Sequence, residues 1–243
     1  RKNRLAVLAP LEVDRFAERS FNRALAAQAS GFLAGEIVAV TEEVFERDSY
    51  LKRGIKMRKG EVVDKDSHVR PSPYESLAKI RPAFGGVQTG GNSSGMVDGA
   101  AALVLASDDY AKAKGKKPLA RVLGAAAVGV PPELMGIGPA PAIAAVVEQA
   151  GLKIADIDRI EINEAFGAQV LACVRELGLD EDKLNVNGGA IAIGHPLGAT
   201  GTRITLTLAR ELQRSGKRYG VSSACIGGGQ GIAMLIENPE AAK

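Results

Sequence analysis

Two side chains with acid–base chemistry stand among glycines in the second half of this 243-residue sequence. His195 lies between Gly194 and Pro196, and Cys225 begins the heptapeptide CIGGGQG at the end of an apolar run. An imidazole transfers protons readily near neutral pH, and a thiol beside bare backbone can be approached closely by a substrate. Backbone N–H groups such as that of Gly227 could face a developing oxyanion. The pattern predicts a proton-transfer site; the alternative is a structural histidine and an inert buried thiol.

The other histidine and the other cysteine are predicted to take no part in chemistry. Cys173 lies in an apolar helical pattern, and His68 lies in a charged stretch where we expect it to be solvated. Two histidines without metal-ligand spacing predict no metal site, and two cysteines do not make a disulfide framework. The sequence begins without an apolar leader segment, so we expect a reducing, cytoplasmic location.

The elements that must position these residues alternate after residue 118. The predicted strands are residues 119–130, 157–162, 219–226 and 232–237, and the predicted helices are residues 139–150, 165–177 and 197–214. A glycine follows the end of each of these helices within two residues, as is typical of helix C-termini. This alternation predicts an α/β fold in which helices are layered on a sheet.

The first part of the chain is less regular. Its predicted elements are helices at 12–30, 76–80 and 108–114, a strand region at 36–44 and an irregular stretch at 51–73. The sequence GKKP at 115–118 reads as a linker. We therefore divide the chain into a first region, residues 1–117, and a second region, residues 118–243.

Composition excludes several classes of protein. The longest apolar run, residues 100–106, is far shorter than the roughly 20 residues that cross a bilayer. Aromatic residues make up 4% of the chain and tryptophan is absent, which argues against stacking on nucleic-acid bases. Residues 52–70 carry seven Lys or Arg against three Asp or Glu. That stretch predicts either a phosphate-binding patch or a solvated surface loop.

One coincidence of spacing is misleading. Tyr110 and Lys114 match the Tyr-x-x-x-Lys pair of short-chain dehydrogenases, and glycines at 194, 198 and 201 resemble a nucleotide-binding loop. In that family the glycine loop precedes the Tyr/Lys pair, whereas here the order is reversed. The strand–loop–helix context of a dinucleotide site is also missing, so an oxidoreductase is excluded.

Longer motifs resemble those of a single family. The stretch 187–203, NGGAIAIGHPLGATGTR, resembles the long signature of thiolases (acyl-CoA acetyltransferases), and residues 225–231 resemble their C-terminal signature. The segments NEAF at 163–166, NSSGMVDGAAA at 92–102 and LAKIRPAF at 77–84 are also similar to thiolase segments. The resemblance implies a thiolase-like layered αβαβα fold. This chain would form its C-terminal half with part of the loop domain.

The resemblance also implies a role for each matched residue. His195 would be the base that activates the nucleophilic cysteine, and Cys225 would move protons to and from the CoA sulfur or the acetyl α-carbon. Asn163 would hold a catalytic water at one oxyanion site, and the Gly227 N–H would serve a second. The reaction would be thiolytic cleavage of a 3-ketoacyl-CoA or the reverse Claisen condensation, with CoA and acyl-CoA as substrates and no resident cofactor. The matched residues that would contact CoA are Ser94, Ser76, Phe84, Phe166 and Arg70.

Neither cysteine here matches the family's nucleophile. We therefore expect that cysteine on an N-terminal thiolase segment, either a separate chain or one that was removed, and expect this chain alone not to complete the reaction. Thiolases are generally dimers or tetramers, so a homo-oligomer is expected. Two alternatives stay open. One is a non-catalytic thiolase-like subunit that binds acyl-CoA or acts as a scaffold, and the other is a decarboxylating ketoacyl synthase, which normally has no cysteine like Cys225.

Overall fold

The computed structural model describes residues 8–41 and 60–241, which surround a four-stranded sheet. The strands are β1 (Arg121–Gly129), β2 (Arg159–Ile162), β3 (Tyr219–Ile226) and β4 (Gln230–Glu237). The helices are α1 (Pro10–Ala29), α2 (Tyr74–Leu77), α3 (Asp108–Ala113), α4 (Pro139–Gln149), α5 (Gly167–Leu177), α6 (Ala190–Ile193) and α7 (Thr200–Ser215). Short 3₁₀ segments are Leu33–Gly35, Pro132–Ile137 and Ile154–Asp156.

The sheet is mixed, with strand order β1-β4-β3-β2. β3 and β4 form an antiparallel hairpin, β4 pairs antiparallel with β1, and β2 runs parallel to β3. A parallel pair needs a long crossover connection, and helices α5, α6 and α7 supply it. Because β2 and β3 run in the same direction, Asn163 after β2 and Cys225 near the end of β3 lie at one edge of the sheet.

Helices cover both faces of the sheet. On one face, α4 packs so closely that a Cβ at Gly124 of β1 would touch Val146. On the other face, α7 presses Leu208 against Gly220 of β3, where a Cβ would meet it at 2.9 Å. α5 packs against α4 in the same hydrophobic core, and α1 packs across α5 and α6. The predicted α/β class is therefore confirmed.

Glycines end the helices where the sequence predicts. Gly178 after α5 and Gly216 after α7 both have φ of 63°, in the left-handed region that glycine adopts without steric cost. α7 begins three residues later than the predicted start at residue 197. The carbonyl of Pro196 instead accepts the Thr200 N–H at 2.9 Å, and the helix begins at Thr200.

Two predictions in the first region need correction. The strand at 36–44 is wrong for residues 36–39, because only a single bridge, Val40 with Val63, forms there. Residues 42–44 lie outside the described part of the chain. The helix predicted at 76–80 is the single turn α2, which begins directly after Pro73. Residues 60–73 are irregular as predicted, whereas residues 51–59 are not described.

The apolar run of residues 100–106 forms neither helix nor strand. Val104 and Leu105 are 95% and 77% exposed. This run leads through α3 to the linker at 115–118, and the boundary between residues 117 and 118 stays a prediction.

Candidate active site

The backbone of His195 is held between two segments that are far apart in the sequence. Its N–H donates to the carbonyl of Gly95 at 2.8 Å, and a parallel bridge joins His195 to Met96. Gly194, which precedes it, has φ of +104°, and a Cβ there would lie 2.6 Å from the Val97 side chain. The glycine before the histidine therefore allows both an unusual backbone conformation and a close approach of the 92–99 segment.

The hydrogen bonds of the His195 ring assign its protonation. Nδ1 lies 2.6 Å from Oγ1 of Thr200, and that hydroxyl donates its own proton to the Pro196 carbonyl at 3.0 Å. The hydroxyl therefore accepts from Nδ1–H, and Nε2 carries the lone pair. Nε2 lies 3.3 Å from the side-chain amide nitrogen of Asn163, which can donate to it. The ring is thus oriented with its basic nitrogen toward Asn163.

Burial also favours the neutral ring. It lowers the pKa of His195 below the ordinary value of 6.5, and the positive charge of Arg203 lowers that pKa further. A histidine that is neutral at physiological pH can accept a proton from a substrate or a thiol.

Asn163 is fully buried directly after β2 and is bonded to the neighbouring strand. Its N–H donates to the Ser223 carbonyl of β3 at 2.9 Å. Cys225 lies two residues further along β3, on the same side of the strand as Ser223. Burial raises the pKa of the Cys225 thiol above its ordinary value of 9.0, so the group is protonated at neutral pH. This end of the sheet therefore carries both an amide donor and a thiol acid.

Gly227 opens the turn between β3 and β4. A Cβ on Gly227 would meet no atom within 4 Å, so its backbone is accessible. Two later glycines, Gly229 and Gly231, are packed tightly instead. A Cβ on Gly231 would overlap the carbonyl of Gly138, and one on Gly229 would overlap that of Val130. These contacts hold the hairpin that carries Cys225 against the start of α4.

A cleft of about 500 Å³ opens beside His195. It is lined by residues 96–101 and 195–199. The lining mixes polar and apolar surface, and Met96 and Leu197 are 87% and 68% exposed. Cys225 does not line this cleft. It lies at the same end of the sheet as Asn163, whose side-chain amide contacts the His195 ring. The cleft has room for an apolar chain next to the imidazole.

The residues matched to CoA contacts are brought together only in part. The Ser94 N–H donates to the Ala165 carbonyl at 3.1 Å, and a bridge between Ser93 and Phe166 holds the two segments side by side. Phe84 is 97% exposed, and Ser76 is exposed on α2.

Arg70 is exposed and already engaged within the protein. Its guanidinium donates to the His68 carbonyl at 2.9 Å and lies 5.2 Å from the Phe21 ring centroid. CoA contacts at all five matched positions stay predictions.

His68 corrects one prediction, because it is partly buried rather than solvated. Its Nδ1 lies 3.0 Å from the carbonyl of Ala192, and its ring packs over Gly95. Both neighbours flank the His195 backbone. No local pattern signals this contact, since His68 and Ala192 are 124 residues apart. Cys173, in contrast, is buried as expected, and burial raises its pKa to about 12.

Within residues 8–41 and 60–241, no group of three or more His, Cys, Asp or Glu side chains could hold a metal ion. No helix in those ranges is long and apolar enough to cross a bilayer.

Comparison with known proteins gives one consistent result. A family model described as thiolase, N-terminal domain, matches residues 9–109, and one described as thiolase, C-terminal domain, matches residues 116–238. The chain is 48% identical over 230 residues to the beta-ketoadipyl-CoA thiolase of Pseudomonas putida, covering 92% of this chain and 54% of that protein. It is 47% identical over 232 residues to the acetyl-CoA acetyltransferase of Paracoccus denitrificans, covering 94% and 56%.

Solved structures agree with the sequence relatives. Human mitochondrial 3-ketoacyl-CoA thiolase in complex with CoA superposes with a TM-score of 0.86 at 44% identity, covering 95% of this chain and 55% of that one. The Bacillus anthracis acetyl-CoA acetyltransferase superposes with a TM-score of 0.87 at 46% identity, covering 95% and 56%. The predicted thiolase-like fold is confirmed, and the chain spans about half the length of the curated relatives it matches. On its motifs, its fold and its relatives, this chain belongs to the thiolase family.

Proposed function

We propose that this chain supplies the acid–base half of a thiolase active site, which transfers an acyl group between a nucleophilic cysteine and coenzyme A. The observation that carries the proposal is the orientation of the His195 ring. Nδ1 donates to Thr200, so Nε2 keeps its lone pair in a residue that lines the cleft. A base oriented in this way can take the proton of a thiol and raise its thiolate fraction.

The first half of the cleavage reaction forms an acyl thioester. Nε2 of His195 takes the proton of the nucleophilic thiol, and the thiolate attacks the 3-keto carbon of the substrate. The C2–C3 bond breaks, the 3-keto carbon stays on the cysteine, and the bond electrons pass to C2 of the departing acetyl-CoA. Cys225, a protonated thiol at neutral pH, donates its proton to that carbon.

The second half transfers the acyl group to CoA. The Cys225 thiolate takes the proton of free CoA, whose sulfur attacks the acyl thioester. The nucleophilic cysteine leaves as a thiolate and regains its proton from the His195 imidazolium. Negative charge develops on a carbonyl oxygen in each half, where a water held by Asn163 would donate at one oxyanion site and the Gly227 N–H at the other. One such donor lowers the barrier by about 3–4 kcal/mol.

Two further components belong to this proposal. The nucleophilic cysteine comes from an N-terminal thiolase segment, and the complete enzyme is a homodimer or homotetramer. Similarity to enzymes about twice as long as this chain supports the first component. CoA would bind along the Ser94 and Phe166 segments, with its anionic head toward Arg70. A cytoplasmic location stays a prediction.

The test uses the protein purified from its own cells, so that any polypeptide belonging with the chain is retained. Cleavage of acetoacetyl-CoA by CoA is followed by absorbance, and intact mass after incubation with acetyl-CoA identifies the acylated polypeptide. We expect turnover and an acyl adduct outside residues 1–243. Cys225→Ala should abolish turnover, whereas the matched variant Cys173→Ala should not. Acyl-CoA binding without turnover or adduct would overturn the proposal in favour of a non-catalytic subunit.

A further inference from the structure

Glu164 is a buried carboxylate next to Asn163, and the steps proposed above do not use it. It is 1% exposed, and its carboxylate accepts three hydrogen bonds from within the protein. We propose that Glu164 is a positioning residue that holds Asn163 and the turn before His195 in register, so that the amide meets Nε2 of the ring. This inference rests on the proposed function.

The carboxylate joins three segments that are distant in sequence. Oε2 accepts the Ser20 hydroxyl of α1 at 2.7 Å and the Ile191 N–H of α6 at 3.1 Å, while Oε1 accepts the Asn185 amide at 2.9 Å. The Ser20 oxygen in turn accepts the Gly189 N–H at 3.1 Å. One side chain therefore ties α1, the 185–191 loop and the end of β2 together.

Both terminal atoms of the side chain at position 164 must accept hydrogen bonds. The Ile191 N–H can only donate, and the Asn185 amide must present its nitrogen because its own oxygen already accepts the Ile162 N–H at 2.9 Å. A glutamine at position 164 would set its NH₂ against one of these donors in either orientation. A Cβ at Gly189 would overlap the carboxylate, so the backbone there leaves no space for a rearranged side chain.

The contact with Ile191 extends to the catalytic base. α6 ends at Gly194, which leads directly into His195. Glu164 follows Asn163 directly, and its carboxylate is bonded to the helix that leads to His195, so it connects the two segments whose side chains make the 3.3 Å contact. Loss of the Ile191 bond would let the turn shift relative to the amide. A displacement of about 1 Å can lower a rate about 100-fold.

The test compares Glu164→Gln with Glu161→Gln, a matched control three residues earlier in β2. Glu161 is also buried, and burial raises the pKa of both carboxyls, to about 8 at Glu161. Hydrogen bonds from Ser20, Asn185 and Ile191 favour the ionised form of Glu164, and none of this kind acts on Glu161. With only two histidines, ring NMR signals are assigned by one variant, His68→Gln. The measurements on the purified protein are the pH titration of the His195 ring, hydrogen exchange of the Ile191 amide, and kcat and KM for acetoacetyl-CoA.

Glu164→Gln should shift the His195 titration, speed exchange at Ile191 about tenfold or more, and lower kcat about 100-fold with KM nearly unchanged. Glu164→Asp, which keeps the acceptors, should recover part of kcat, and Glu161→Gln should change none of the three.

If Glu164→Gln does not fold, Ser20→Ala, which removes a single donor, should give the same changes at smaller size. Unchanged ring titration and exchange in a folded Glu164→Gln or Ser20→Ala, or equal effects of Glu161→Gln, would overturn the inference. A wild-type protein without turnover would instead overturn the proposed function, while the ring and exchange data would still test the positioning role.

Discussion

The hydroxyl of Thr200 lies 2.6 Å from Nδ1 of His195 and donates its own proton to the Pro196 carbonyl. This pair determines which ring nitrogen is basic, because the hydroxyl is left only with an acceptor role toward the imidazole. Thr200 is the first residue of α7, so the helix begins at the contact that orients the ring.

Replacing Thr200 by valine should therefore impair both activity and stability. Valine has nearly the same shape but leaves the buried Nδ1–H without an acceptor, which costs about 1–3 kcal/mol. We expect a lower kcat and a lower urea midpoint. Thr200→Ser, which keeps the hydroxyl, is the control and should stay close to wild type. Equal losses in the two variants would show that the methyl group, rather than the hydrogen bond, matters.

The acid limb of activity should reflect the depressed pKa of His195. Burial, with a contribution from Arg203, moves that pKa below 6.5, so the base stays available in mildly acidic solution. Arg203→Met should raise the pKa of His195 toward 6.5 and move the acid limb of kcat/KM to higher pH. Arg210→Met on the same helix is the matched control. An acid limb that moves in neither variant, or equally in both, would contradict the electrostatic role of Arg203.

The lowered pKa of His195 also determines how the free energy of unfolding changes with pH. The unfolded chain binds the histidine proton at a higher pH than the folded protein does. The stability associated with the neutral ring is therefore complete above about pH 6.5 and is lost as pH falls toward the folded pKa. His195→Gln should flatten this part of the curve of unfolding free energy against pH. A His195→Gln curve that keeps the wild-type slope would contradict this assignment.

The two cysteines should react very differently with iodoacetamide. Cys225 is partly accessible with a raised pKa, whereas Cys173 is buried and has a pKa of about 12. Within residues 1–243, the native protein should take up one label, at Cys225, with a rate that still rises above pH 9 because only the thiolate reacts. Urea should expose the second site. Labelling of Cys173 before unfolding would show that the core around it opens in the native state.

The hairpin that carries Cys225 should not tolerate a methyl group at Gly231. A Cβ there overlaps the Gly138 carbonyl, and overpacking of this kind costs about 1–3 kcal/mol. Gly227→Ala, four residues earlier, is the control, since its Cβ would meet nothing within 4 Å. Thermal unfolding of the two variants should separate them. A Gly231→Ala protein as stable as Gly227→Ala would mean that the backbone there can move apart.

Much of the second region could be predicted because its signals are local. Helix ends at Gly178 and Gly216 follow from the left-handed conformation that glycine permits, and the β3–β4 hairpin follows from a short turn between apolar runs. The glycines beside His195 and Cys225 are likewise visible in the local sequence, whereas the roles of these two residues stay predictions. These features depend on neighbours within a few residues.

Contacts between distant segments could not be predicted in the same way. The His68 contact with Ala192 joins residues 124 apart, and the Ser20 contact with Glu164 joins residues 144 apart. Neither the composition nor the hydrophobic periodicity of these segments indicates which distant residue each one contacts. The strand expected near residue 36 failed for a related reason, since apolar alternation makes a strand only where a second segment supplies its hydrogen bonds.

The run of residues 100–106 affects how this protein must be handled. An apolar run of alanine, leucine and valine that faces solvent is the kind of segment through which identical molecules associate. The isolated polypeptide should therefore aggregate as its solutions are concentrated. Val104→Lys would be the simplest substitution to reduce this aggregation.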